Sequence, residues 1–99
     1  MIILMGHLHL NPSDVKEFVA DTQAVSVSTR AEKGCLFYSV TLDDASAGRM
    51  LLVQRWQDQE SLKAHLETPA TVKFLTKWAD RFKSELLQYD VSNERTLFN

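Results

Sequence analysis

The side chains best suited to chemistry in this 99-residue chain are its three histidines, its two tryptophans and its single cysteine. Trp56 and His65 share one run, Arg49 to Pro69. There an apolar strand ends at Trp56, Asp58 caps a short helix through Leu66, and Thr68-Pro69 starts another. An imidazole, with an ordinary pKa of about 6.5, is largely neutral at neutral pH and is the natural general base of such a unit. His65 is therefore the first candidate catalytic residue. The same position also suits a histidine that bonds a backbone carbonyl and seals a helix against a sheet. Trp56 is a packing anchor by size, and its ring is also a candidate wall for a flat aromatic ligand.

His7 and His9 alternate with Ile3 and Met5 along the first apolar run. A period of two puts all four on one strand face, from which His7 is expected to project toward the helices and meet His65 as an orienting group or second acid/base. His9, nearer the strand end, is expected at the rim. Two histidines at i and i+2 can share a metal, yet no carboxylate or third histidine stands at ligand spacing, so no metal is expected. Phe37 and Tyr38 point to opposite sides of their strand; Phe37 is expected to line the cavity, with Phe74 at its edge on a later helix. Cys35 follows a glycine with no cationic partner nearby in sequence and reads as an inert buried thiol.

These residues need strands and helices to position them. Residues 2–10 read as a strand with Ile2, Leu4, Leu8 and Leu10 on one face and Ile3, Met5, His7 and His9 on the other. Neither face is polar enough to be solvated, so the strand needs a layer on each side. Asn11-Pro12-Ser13-Asp14 is a helix start, followed by a core stripe of Val15, Phe18, Val19, Thr22 and Val25. Ser26 to Thr29 is weak helix by propensity, and Gly34 supplies a stop. Cys35 to Leu42 is a strand, Asp43 to Gly48 a hairpin loop, and Arg49 to Trp56 the antiparallel return. Beyond the short helix, residues 69–84 read as a helix with Val72, Leu75, Trp78, Ala79 and Phe82 inward. Leu86 to Ser92 reads as a fourth strand, and residues 93–99 as a tail that docks on a partner surface or frays.

The resulting order, β-α-β-β-α-α-β, predicts an α+β fold: a ferredoxin-like split β-α-β, with a four-stranded antiparallel sheet and helices on one face. With the helices over the His7 side, Ile2, Leu4, Leu8 and Leu10 would leave an apolar face larger than a monomer normally exposes. A homodimer packed through its sheet faces is the expected solution.

Composition limits the function. The chain is 44% hydrophobic and 24% charged, with a formal net charge of −2, which fits one domain over residues 1–99. Its acids and bases are interspersed, which argues against a nucleic-acid surface or a polybasic membrane patch and favours a small neutral or weakly charged ligand. No apolar run approaches the ~20 residues of a membrane span. The lone cysteine forms no internal disulfide, and the first residues lack a positive leader and a cleavage site, so a cytoplasmic location is expected.

The segment Gly34-Cys35-Leu36-Phe37-Tyr38, the hairpin after it, and the run from Val53 to Pro69, with Trp before the short helix and His near its end, resemble the antibiotic biosynthesis monooxygenase family. The resemblance covers about residues 1–92. It implies a dimeric α+β barrel whose protomers oxidise quinols or polyketide phenols in a cavity between helices and sheet, in many members without metal or flavin. On that basis the chain is expected to be an oxidoreductase, a cofactor-independent monooxygenase. His65 would be the base and His7 its partner, with Trp56, Phe37, Gln54 and Phe74 against a small aromatic or quinol-like substrate.

Some positions depart from the family pattern. Gln54 stands where quinol-type members commonly have Glu, Ala70 where His is frequent, and Leu52 where polyketide oxygenases carry Asn. Haem-degrading members place Asn, Trp and His where this chain has His7, His65 and Leu75, which speaks against haem cleavage. Two other readings stay open. One is a non-catalytic metabolite-binding dimer. The other is processing of a small phosphorylated carbonyl compound, with Arg49, Arg55 and Arg95 as anion partners but no phosphate-cradling glycine motif.

Overall fold

The computed structural model describes residues 1–98. It contains β1 (Ile2–Leu10), a 3-10 turn (Pro12–Asp14), α1 (Val15–Arg30), β2 (Cys35–Asp44), β3 (Arg49–Trp56), α2 (Gln59–Leu66), α3 (Pro69–Trp78), a second 3-10 turn (Ala79–Arg81) and β4 (Phe82–Asp90). The four strands form one antiparallel sheet in the order β2-β3-β1-β4. This is the expected α+β ferredoxin-like arrangement, with the helices on one face.

The face of β1 turned to the helices is the opposite of the one expected. Ile2, Leu8 and Leu10 are buried beneath the helices, whereas Met5 is exposed and Ile3, His7 and His9 are half-buried on the open side. The row turned inward is wholly aliphatic, while the other carries two imidazoles whose burial without partners would cost free energy. Register carries the choice across the sheet. Leu8 pairs with Met50 and Ile2 with Trp56, so the inner row of β3 is Met50, Leu52, Gln54 and Trp56.

One core cluster joins Leu8, Leu10, Met50 and Leu52 to Val15 and Phe18 of α1 and Trp78 of α3. Phe18 and Trp78 meet edge to face, with ring centroids 5.0 Å apart. A second cluster, Ile2, Trp56 and Leu62, sits under α2.

Other boundaries move for tertiary reasons. Helix α1 runs through the weak Ser26–Thr29 stretch to Arg30, because Ser26 and Thr29 are buried against the sheet. Its inward row is Val15, Phe18, Thr22, Ser26 and Thr29. Helix α3 stops at Trp78 instead of residue 84 and turns Thr71 and Trp78 inward, leaving Val72 and Leu75 exposed. Trp78 is pinned there: its indole N–H donates to Asp21 at 2.9 Å and Arg81 stacks on its ring at 4.0 Å. The chain then enters β4 four residues early, since Phe82 to Asp90 pair with the whole length of β1. Strand β2 likewise extends to Asp44, and Gly48 closes the shorter turn.

Gly6 makes the centre of the sheet possible. A Cβ there would lie 1.8 Å from the carbonyl oxygen of Glu85, and its φ of +155° disfavours side chains. Gly6→Ala is expected to lower the melting temperature by about 10 °C, the equivalent of about 2 kcal/mol in a domain of this size. Thermal denaturation measures it, and an unchanged midpoint would show that β4 can move away without cost.

Residues 91–98 carry no strand or helix. Val91 and Met1 bond through their backbones, and Glu94 pairs with Arg55 on the open face. Leu97 and Phe98 are exposed, and Asn99 lies outside the described residues. No helix among the described residues is long and apolar enough to cross a membrane.

Candidate active site

Six buried polar residues, Thr22, Ser26, Thr29, Gln54, His65 and Thr71, lie on the helix side of the sheet. His65 gathers most of their chemistry. Its position follows from two caps. Asp58 accepts the backbone N–H of Ser61 at 2.8 Å to start α2, and Thr68 accepts that of Thr71 at 3.3 Å to start α3 behind Pro69. Thr68 also donates to the carbonyl of His65 at 3.0 Å. The corner between the two helices is thus held by side chains, and Leu62 and His65, three apart, turn inward together.

The His65 ring is 4% exposed and lies 4.7 Å from the Trp56 ring, tilted by 32°. Its Nδ1 is 2.9 Å from Oε1 of Glu32, and the Thr71 hydroxyl is 3.5 Å away at the same nitrogen. A carboxylate only accepts, so it assigns the proton of the neutral ring to Nδ1 and leaves the Nε2 lone pair available. Among the described residues no side chain bonds Nε2. The pair is an oriented base of the kind in which one group fixes the tautomer of another.

Glu32 was not among the expected site residues. It lies in the turn between α1 and β2, where its backbone N–H donates to the carbonyl of Thr29 at 3.0 Å and its own carbonyl accepts from Cys35 at 3.2 Å. The turn is held against the end of β3 by a Gln57-to-Gly34 backbone bond of 2.8 Å. A signal was present in the sequence: hairpin pairing sets Cys35 opposite Trp56, so an acid just before Gly34 falls at the same sheet end as the tryptophan.

The structure separates the two histidines expected to meet. His7 is on the open face, where Nε2 lies 3.6 Å from Asp43, which Arg49 also binds at 2.5 Å. The whole sheet stands between it and His65. His9, beside it, pairs with Glu85.

Phe37 is also on the open side, 47% exposed, and Tyr38 takes the inward place assigned to it. A bulge between Cys35 and Phe37 sets that register, so Tyr38 pairs with Gln54 and its ring comes within 6.0 Å of His65. Trp56 is fully buried, one face against His65, and donates its indole N–H to Gln54 Oε1 at 2.9 Å. Gln54 keeps its amide N–H groups as donors. Phe74 is remote from this group; it packs on Phe18 and borders a cleft between α1 and α3.

Burial, reinforced by the charge of Glu32, pushes the Tyr38 phenol from its ordinary value of 10.0 up to about 12. The folded state therefore holds this proton more tightly than the unfolded chain. The stabilisation is complete below pH ~10 and is lost as the pH rises toward ~12, with a full value of about 3 kcal/mol from a two-unit shift. Denaturant titrations across this range should show that loss in the native chain and much less of it in Tyr38→Phe. The Cys35 thiol is also raised, first by burial and then by Glu32, which fits an inert side chain.

Comparison with known proteins agrees with this architecture. The model of the antibiotic biosynthesis monooxygenase family matches residues 1–77. The chain is 28% identical to the uncharacterised protein sll1783 of Synechocystis over 98 residues, covering 97% of this chain and 67% of that one. It is 24% identical over 86 residues to YcnE of Bacillus subtilis, named as a candidate monooxygenase, covering 87% and 90% of the two chains. A candidate antibiotic biosynthesis monooxygenase from Deinococcus radiodurans shares the fold over the full length of both chains, with a TM-score of 0.85 at 20% identity. With a family match spanning most of its length and the same sheet and helix layers, the chain belongs to the antibiotic biosynthesis monooxygenase family.

Proposed function

We propose that this protein is a monooxygenase that oxidises a quinol or polycyclic phenol with O2, drawing its electrons from the substrate. The Glu32–His65 pair carries the reading: a buried imidazole with its Nδ1 proton held by a carboxylate has a free Nε2 to take a phenolic proton. Gln54 and Tyr38 supply donors for the resulting anion in a site largely free of water. The electron-rich anion passes one electron to O2, the two radicals combine at ring carbon, and the hydroperoxide loses water. Quinol plus O2 thus gives hydroxyquinone plus water, with no external reductant.

Two copies packed through their open sheet faces complete the protein in this reading. Met5, Phe37, Leu87 and Tyr89 expose between 42% and 62% of their surface on that side. Arg49 and Arg55, the anion partners of the phosphorylated-carbonyl reading, are there engaged by Asp43 and Glu94. Oxygen uptake with a panel of reduced naphthoquinones tests the chemistry; its absence with every member, while the fold is intact, would refute it. Sedimentation tests the assembly, and a stable monomer at micromolar concentration would overturn it.

A further inference from the structure

Helices α1 and α3 leave between them a cleft of about 390 Å³, lined by Asp21, Ala24, Val25 and Ser28 on one side and Ala70, Lys73, Phe74 and Lys77 on the other. Four of the eight, Ala24, Val25, Ala70 and Phe74, are apolar and form a surface that suits a flat ring system. Its charge is uneven. Lys77 is held by Asp21 at 2.6 Å and Glu17 at 2.9 Å, and Asp21 also accepts from Trp78. Those charges are spent on one another. Lys73, exposed at the middle of the cleft, has no carboxylate within ion-pair distance among the described residues. The cleft therefore offers an apolar slot with one uncompensated cation.

At one end of the slot, the residues next along each helix are buried polar ones. Ala70 precedes Thr71, whose hydroxyl is 3.5 Å from His65 Nδ1. Ser28 precedes Thr29, which is fully buried and whose hydroxyl has no hydrogen-bond partner. A helix rises 1.5 Å per residue, so Lys73 stands roughly 4.5 Å along α3 from Ala70. A ring system held by Lys73 would thus span the slot to Ala70 and Ser28 at its end.

The geometry points to an anionic aromatic ligand: a fused-ring carboxylic acid, its rings on Phe74, Val25 and the two alanines and its carboxylate on Lys73. This site is independent of the proposed catalysis, since binding is measured apart from turnover. Calorimetry on the full chain should find a hydroxynaphthoic acid bound about fivefold more tightly than its neutral methyl ester, the size of a partly exposed ion pair. Lys73→Gln should erase that preference and Lys73→Arg keep it. Ala24→Trp, at an exposed position, should fill the slot and abolish binding of both compounds.

Equal affinities in the native chain, a preference that survives Lys73→Gln, or undiminished binding to Ala24→Trp would each overturn the assignment. Circular dichroism verifies that the variants are folded. Lysine-dependent binding without oxygen uptake from any quinol would refute the monooxygenase reading alone. Oxygen uptake from a quinol, with acid and ester bound equally, would refute this inference alone.

Discussion

Exchanging His65 for glutamine is expected to lower oxygen uptake with the best quinol at least about a hundredfold, the lower range for a lost general base. Glutamine retains a polar group of similar reach opposite Glu32 and Thr71, so the loss should come from basicity more than from packing. Glu32→Gln should cost less, about tenfold, because the imidazole remains but its tautomer is no longer imposed by a carboxylate. The two groups act as a unit, so the double variant should be no slower than His65→Gln alone. His7→Gln should spare the rate, since its ring lies across the sheet beside Asp43. Steady-state oxygen electrode measurements decide the matter; a His65→Gln protein as fast as the native chain would remove the base.

Trp56→Ala is expected to destabilise the protein by about 3–5 kcal/mol. The indole is fully buried, joins Ile2 and Leu62 in one cluster, and supports the His65 ring at 4.7 Å. Its removal also leaves the buried Gln54 oxygen without its donor, a further cost of about 1–3 kcal/mol if no water replaces it. Against a typical total of about 5–15 kcal/mol, much of the population would unfold. Trp56→Phe should retain most of the packing and lose mainly the hydrogen bond. Chemical denaturation separates the two variants, and a cost for the alanine below about 1 kcal/mol would mean that the strand end is not an anchor.

His65 was legible as an inward residue because the helix after Asp58 is written in local signals, a cap and apolar spacing, whereas Gln54 entered only through the family resemblance. His7 and Phe37 were misplaced because alternation assigns residues to two faces without saying which face the helices cover. Tyr38 and Phe37 exchange roles on the same ground, with the bulge after Cys35 setting the register. Glu32 escaped because its partner is 33 positions away and meets it only when the α1–β2 turn closes over α2.

By itself, the sequence determined the order of strands and helices, both helix caps around His65, and the antiparallel return of β3. These depend on spacing and on backbone groups satisfied within a few residues. Only the tertiary structure decided which side of the sheet is covered, where α3 ends, and which acid orients His65. Those outcomes follow from competition between surfaces. The aliphatic row of β1 is less costly to bury than the row with two imidazoles, pairing with β1 draws Phe82 to Asp90 into a strand, and Asp21 and Arg81 hold Trp78 at the helix end. The Glu32–His65 contact is the product of that packing.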